Sequence, residues 1–144
     1  LSALSYHRWH SPVSGTIVNA EVIDGTYYSE TPAQGFDPAA PNDSQGYITE
    51  VATRAIILIE ADDPRIGLMC FMAVGMAEVS TCEVTVYVGQ HVDKGAQTGM
   101  FHFGGSTHCL IFRPGVSLEF DLHGQKPGLE ARNIKVNAVL ARVT

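Results

Sequence analysis

The densest chemical pattern in this 144-residue chain is Gly99-Met100-Phe101-His102-Phe103-Gly104-Gly105-Ser106-Thr107-His108. Its centre is two glycines followed by two hydroxyl residues. Glycine reaches backbone conformations closed to other residues and lets a neighbouring group approach its peptide closely. A Ser106 Oγ pressed against the Gly105 carbonyl carbon has the geometry for an N→O acyl shift, which exchanges the Gly105–Ser106 amide for an ester. Taken alone, the tetrad reads first as a turn or bulge between two strands, because Gly-Gly-Ser is ordinary turn chemistry. The rest of the chain moves the balance.

A hydroxyl nucleophile needs a base, and imidazole is the usual one. His7 and His10 stand three apart in His7-Arg8-Trp9-His10. Pro12 holds the residue before it extended, and in an extended segment positions i and i+3 point to opposite faces. Two separate roles therefore fit better than one shared metal, and no spacing supplies a third ligand, so no metal is expected. His102 and His108 flank the tetrad. His102 reads as a strand histidine on a polar face, and His91 and His123 lie in solvated, turn-like contexts. Glu78 and Glu83 read as solvent-facing. Lys94 occupies a glycine-bracketed turn, Asp93-Lys94-Gly95-Ala96, similar to the hairpin lysine of biotinyl and lipoyl carrier domains. That leaves a covalent carrier module as a reading of a different class.

The elements that must position these residues are short and β-rich. Residues 16–23 alternate around β-branched side chains and predict a strand. Asp24-Gly25 predicts a hairpin with a returning strand over 26–28. Residues 30–45 hold Pro32, Pro38 and Pro41 and read as a long loop or flap. Further strands are predicted over 51–60, 66–75 (where periodicity alone also admits a helix), 78–88, 109–112, 116–121 and 134–143. Glycine-rich turns separate them. No convincing helix and no repeat intervene, so the fold class is all-β, a small barrel or sandwich.

Composition narrows the class. Hydrophobic residues make up 45% and charged residues 17%, a foldable single domain. The net charge of −6 and the lack of any Lys/Arg cluster argue against nucleic acid and anionic lipid surfaces as dominant partners. Cys70, Cys82 and Cys109 are odd in number and lack CxxC spacing; they read as small buried apolar groups. The longest apolar run, 66–77, falls short of the about 20 residues that span a bilayer. The chain opens at Leu1 without a signal-peptide pattern, so it is expected to be part of a longer, cytoplasmic protein with an upstream segment. That segment leaves membrane contact open.

Three blocks then occur together: His-Arg-Trp-His-Ser-Pro-Val-Ser-Gly at 7–15, Gly-Gln-His-Val-Asp-Lys-Gly at 89–95, and Met-Phe-His-Phe-Gly-Gly-Ser-Thr at 100–107. In this order they resemble the phosphatidylserine decarboxylase family across nearly the whole chain. Ile59-Glu60-Ala61-Asp62, the stretch 75–83, and Gly-Gly-Ser in place of the Leu-Gly-Ser-Thr of the lipid enzymes look most like the fungal soluble branch acting on aromatic amino acids such as tryptophan.

The resemblance implies one small barrel/sandwich-hybrid catalytic domain over 1–144, cut by itself between Gly105 and Ser106. The products would be a β-chain part, 1–105, and an α chain, 106–144, of the same precursor. It implies a pyruvoyl cofactor derived from Ser106, forming a Schiff base with the substrate amine and acting as electron sink for the loss of CO2. It makes His10 the base for Ser106, with an aspartate expected upstream, and His7 the residue at the substrate. Phe103, Gly104, Thr107 and His108 are candidate pocket residues, and the 30–45 loop a candidate cover. The implied substrate is an aromatic amino acid; phosphatidylserine is the alternative.

Overall fold

The computed structural model describes residues 1, 5–27, 31, 42–76, 81–102, 106–126, 128 and 130–144. The strands are β1 (Arg8–His10), β2 (Gly15–Ile23), β3 (Arg54–Ala61), β4 (Leu68–Gly75), β5 (Cys82–Val84), β6 (His91–Val92), β7 (Gln97–Phe101), β8 (Ser106–Phe112), β9 (Leu118–Phe120) and β10 (Ala141–Val143). One short helix, α1 (Gln45–Val51), lies between β2 and β3. The fold is all-β, as the alternation predicts. Its strands form open sheets, with no closed barrel among the described residues.

The main sheet has five strands in the order β6-β2-β3-β4-β8, and a smaller one runs β1-β7-β5. Every pairing is antiparallel, so one face of each strand can turn inward and the other outward. Ala55, Ile57, Ile59 and Ala61 of β3 and Met69, Phe71 and Ala73 of β4 project into the space between the sheets. There they meet Trp9 of β1, Phe101 of β7 and Val86. Trp9 is 1% exposed and lies 5.9 Å from Phe71 and 4.8 Å from Phe101, ring centre to ring centre, so one indole ties the two sheets together. The outward face of β4 is covered differently: Val74, with Met76 beyond the strand end, packs on Ile48 of α1 and on Ala52.

Several boundaries differ from the sequence reading. The expected hairpin at Asp24-Gly25 does not form. Thr26 instead makes a parallel bridge with Ala52, and the Gly25 N–H donates to Thr53 Oγ1 (3.1 Å). The chain leaving β2 thus remains beside the segment that enters β3, and tertiary pairing outweighs the local turn signal. Val51 belongs to the end of α1, which the proline-rich composition upstream did not disclose. The strand expected over 78–88 is short, Cys82–Val84, with 77–80 outside the described residues. Of 134–143, only Ala141–Val143 pairs, with β9. The expected 30–45 flap lies mostly outside the described residues, where 42–44 form a single 3-10 turn leading into α1.

Candidate active site

Ser106 opens β8 opposite Gly75 of β4. Strand alternation turns Ser106, His108, Leu110 and Phe112 to the inner face, with Ala73, Phe71 and Met69 as the partners of the last three. The backbone of Ser106 is fixed on its other side as well. Its N–H donates to the Leu1 carbonyl at 3.2 Å, and its own carbonyl accepts from the Leu1 nitrogen at 2.6 Å. The Ser106 residue is 2% exposed, and its Oγ has no hydrogen-bond partner among the described residues. A buried hydroxyl without any partner costs about 1–3 kcal/mol. Gly105, Gly104 and Phe103 lie outside the described residues.

Two imidazoles share this interior. His7 sits 6.2 Å from Phe101, edge to face, and His108 sits 5.4 Å from the same ring. The Nε2 atom of each is buried and, like Ser106 Oγ, has no partner among the described residues. Burial pushes the His108 pKa down to about 4. At neutral pH His108 is therefore an uncharged ring.

His10 is placed differently. Its Nδ1–H donates to the Gly95 carbonyl at 2.7 Å, because a carbonyl only accepts, and its Nε2 meets the hydroxyl of exposed Tyr6 at 2.8 Å. Tyr6 also stacks on the ring at 5.7 Å. The structure thus brings His7 and His108 together at Phe101, His108 on the face of β8 that also carries Ser106, and seats His10 on Gly95 and Tyr6. Thr107 is half-buried on the face of β8 turned away from His108 and pairs with Val74. His102 binds Glu83 and His91 binds Asp62, both pairs at the surface, and His123 Nε2–H donates to the Val139 carbonyl. Lys94 is exposed in its turn, with its backbone N–H on Ser14 Oγ. The three cysteines are free and half-buried, and burial raises the thiol pKa of each, that of Cys82 to about 11. No group of three metal-binding side chains occurs among the described residues.

A groove of about 1390 Å³ runs from Trp9, Phe71 and His108 along Leu110 and Phe112 to the β9–β10 pair. Sequence reasoning did not find this groove, nor the meeting of His7 and His108 across Phe101. The available signal was the i, i+2 spacing of Ser106 and His108, which puts both on one face once 106–112 is taken as a strand.

Fold and site together define an all-β domain in which a buried hydroxyl, Ser106 Oγ, follows two glycines in the sequence. Residues 1–138 match the family model described as phosphatidylserine decarboxylase. The chain is 47% identical to "Decarboxylase iboD" of Amanita muscaria over 99% of its own length and 43% of that protein's. It is 42% identical to "L-tryptophan decarboxylase" of Psilocybe cubensis, covering 98% of this chain and 33% of the relative. "Phosphatidylserine decarboxylase proenzyme" of Chlamydia muridarum is 32% identical over 92% of this chain and 42% of the relative. The chain belongs to the phosphatidylserine decarboxylase family, and it spans less than half the length of these relatives.

Proposed function

We propose that this chain is the catalytic part of a self-processing, pyruvoyl-dependent decarboxylase that removes the α-carboxylate of an aromatic amino acid as CO2. The observation that carries the reading is the buried Ser106 Oγ, without a partner among the described residues, at the head of a core strand whose same face carries His108 two residues on. Fungal relatives named tryptophan decarboxylase, at 42% identity, support the substrate class.

The precursor chemistry follows from a hydroxyl at this position. Ser106 Oγ adds to the Gly105 carbonyl carbon, and the C–N bond breaks to leave an ester. A base takes the Ser106 α-proton, the Cβ–O bond breaks with Gly105 leaving as a carboxylate, and dehydroalanine remains at 106. Its enamine tautomerises to an imine, and water releases ammonia and leaves a ketone. The fit of such a group rests on Ser106 itself: it is sequestered from water, has no side-chain partner among the described residues, and faces a glycine on the neighbouring strand. Position 106 would hold the pyruvoyl, which supplies an electrophile for the substrate amine and a sink for the electrons released with CO2.

The protein's own residues exclude water and manage protons. Trp9, Phe71 and Phe101 keep the interior apolar, which strengthens every polar interaction there. His7, whose buried Nε2 has no partner among the described residues, is the residue to which we assign delivery or removal of a proton at the substrate. His10 is the base for Ser106 that the family pattern suggests; in that role its Nε2 exchanges the Tyr6 hydroxyl for the serine.

A second reading, decarboxylation of phosphatidylserine, is favoured by the apolar length of the groove, which could take an acyl chain.

Intact mass spectrometry of the full-length protein under denaturing conditions tests the proposal. Two chains are expected, one ending at Gly105 and one beginning with a pyruvoyl, with Ser106→Ala leaving a single chain. An uncut, unmodified wild type would overturn it, and added mass at Lys94 would instead indicate a carrier. His10→Ala and His7→Ala separate the proton roles: the first should block the cut, the second should allow it and lower CO2 release. Trials with tryptophan and phosphatidylserine then separate the substrates.

A further inference from the structure

His108 has no part in the chemistry above, yet its position is unusual for its type. Inward positions of β8 opposite Ala73 and Phe71 call for apolar side chains, and a polar nitrogen buried there without a partner among the described residues is costly. The ring is held among aromatic neighbours, 5.3 Å from Phe71, 5.4 Å from Phe101 and 6.4 Å from Trp9. It is uncharged at neutral pH, because burial holds its pKa near 4. It also stands two residues from Ser106 on the same face and lines the groove that continues along Leu110 and Phe112. The groove therefore ends, at the Ser106 side of β8, on His108.

We infer that His108 is a specificity-determining residue of the Ser106 site, whose uncharged Nε2 accepts a hydrogen bond from the ring N–H or O–H of an aromatic amino-acid side chain seated against Phe71 and Trp9. The inference rests on the amino-acid decarboxylase reading and adds which side chains that site selects. An aromatic ring bearing a donor fills the aromatic walls and satisfies the buried nitrogen. A plain benzene ring fills the walls and leaves the nitrogen unpaired. A site built for a hydrogen bond rejects the analogue that lacks it more strongly than an apolar site rejects an added group. A charged side chain gains no opposite charge from a neutral imidazole and loses its water.

The test compares the cleaved, full-length wild type with His108→Phe, which keeps a ring in the aromatic box and removes the acceptor. Dissociation constants for tryptamine, 1-methyltryptamine and phenethylamine are measured by calorimetry, and CO2 release from tryptophan and phenylalanine is measured alongside. Wild type should bind tryptamine about tenfold or more tightly than 1-methyltryptamine, a ratio that should fall to within about twofold in the variant. The preference for tryptophan over phenylalanine should fall in parallel. Should the variant not be cleaved, the wild-type ratio decides alone, since equal binding of the indole and its N-methyl form overturns the inference. A ratio unchanged in the variant also overturns it while the decarboxylase reading stands. No CO2 from any aromatic amino acid with cleaved wild type overturns both.

Discussion

At the scale of single residues, the interior around Ser106 is organised by what it leaves unpaired. Ser106 Oγ, His7 Nε2 and His108 Nε2 are all buried without partners among the described residues, whereas His10 has both ring nitrogens engaged. This arrangement has a consequence for stability. The His108 pKa lies near 4 in the folded chain, below the ordinary 6.5, so the folded state refuses a proton that the unfolded chain accepts. As pH falls from about 6.5 to about 4, stability declines through this group by at most about 3 kcal/mol. Below that window the group contributes no further slope. Denaturant titrations at pH 7 and pH 4.5 should show a smaller loss in His108→Phe than in wild type; equal losses would mean that residue 108 is not desolvated.

At the scale of elements, the small sheet must come close to Trp9. Gly99 of β7 pairs with both Trp9 of β1 and Val84 of β5. A methyl group there would collide with the Glu83 carbonyl and the indole ring of Trp9. Neither can retreat easily, one being backbone and the other a fully buried side chain. Gly99→Ala should therefore cost about 1–3 kcal/mol and loosen the seam between the sheets. A lowered thermal midpoint together with a red-shifted Trp9 emission checks this, and an unchanged midpoint would refute it. The first three residues of β8 depend on the same close packing, since His108 touches the Trp9 and Phe101 rings that this seam aligns.

At the scale of the whole molecule, the two faces of the groove differ in how firmly they are held. β2, β3, β4 and β8 pair over long registers and bury their inner faces. β9 and β10 pair over three residues only, and Phe120 is 64% exposed. Amide exchange should be slowest in the first group and faster by orders of magnitude across β9–β10. Equal protection in both would show that the groove's outer wall is as firm as its inner one. Of the strong strands, 16–23 is legible because alternation specifies a face as well as an extended backbone, whereas 66–75 is apolar throughout and reads as a strand only from its flanking turn and glycines. The hairpin expected at Asp24-Gly25 failed for the opposite reason: a two-residue signal was outweighed by pairing of Thr26 with Ala52.

The sequence by itself determined the all-β class and the family, because strand alternation and short motifs are local properties of the chain. It also set His7 and His10 on separate paths, since a proline-restrained extended segment alternates. Only the tertiary structure decided which imidazoles come together. His7 and His108 are a hundred residues apart in sequence, and they meet because β1 and β8 belong to different sheets that close over Phe101. The same closure strips water from His108, and no local pattern encodes a desolvation that arises from the packing of two sheets.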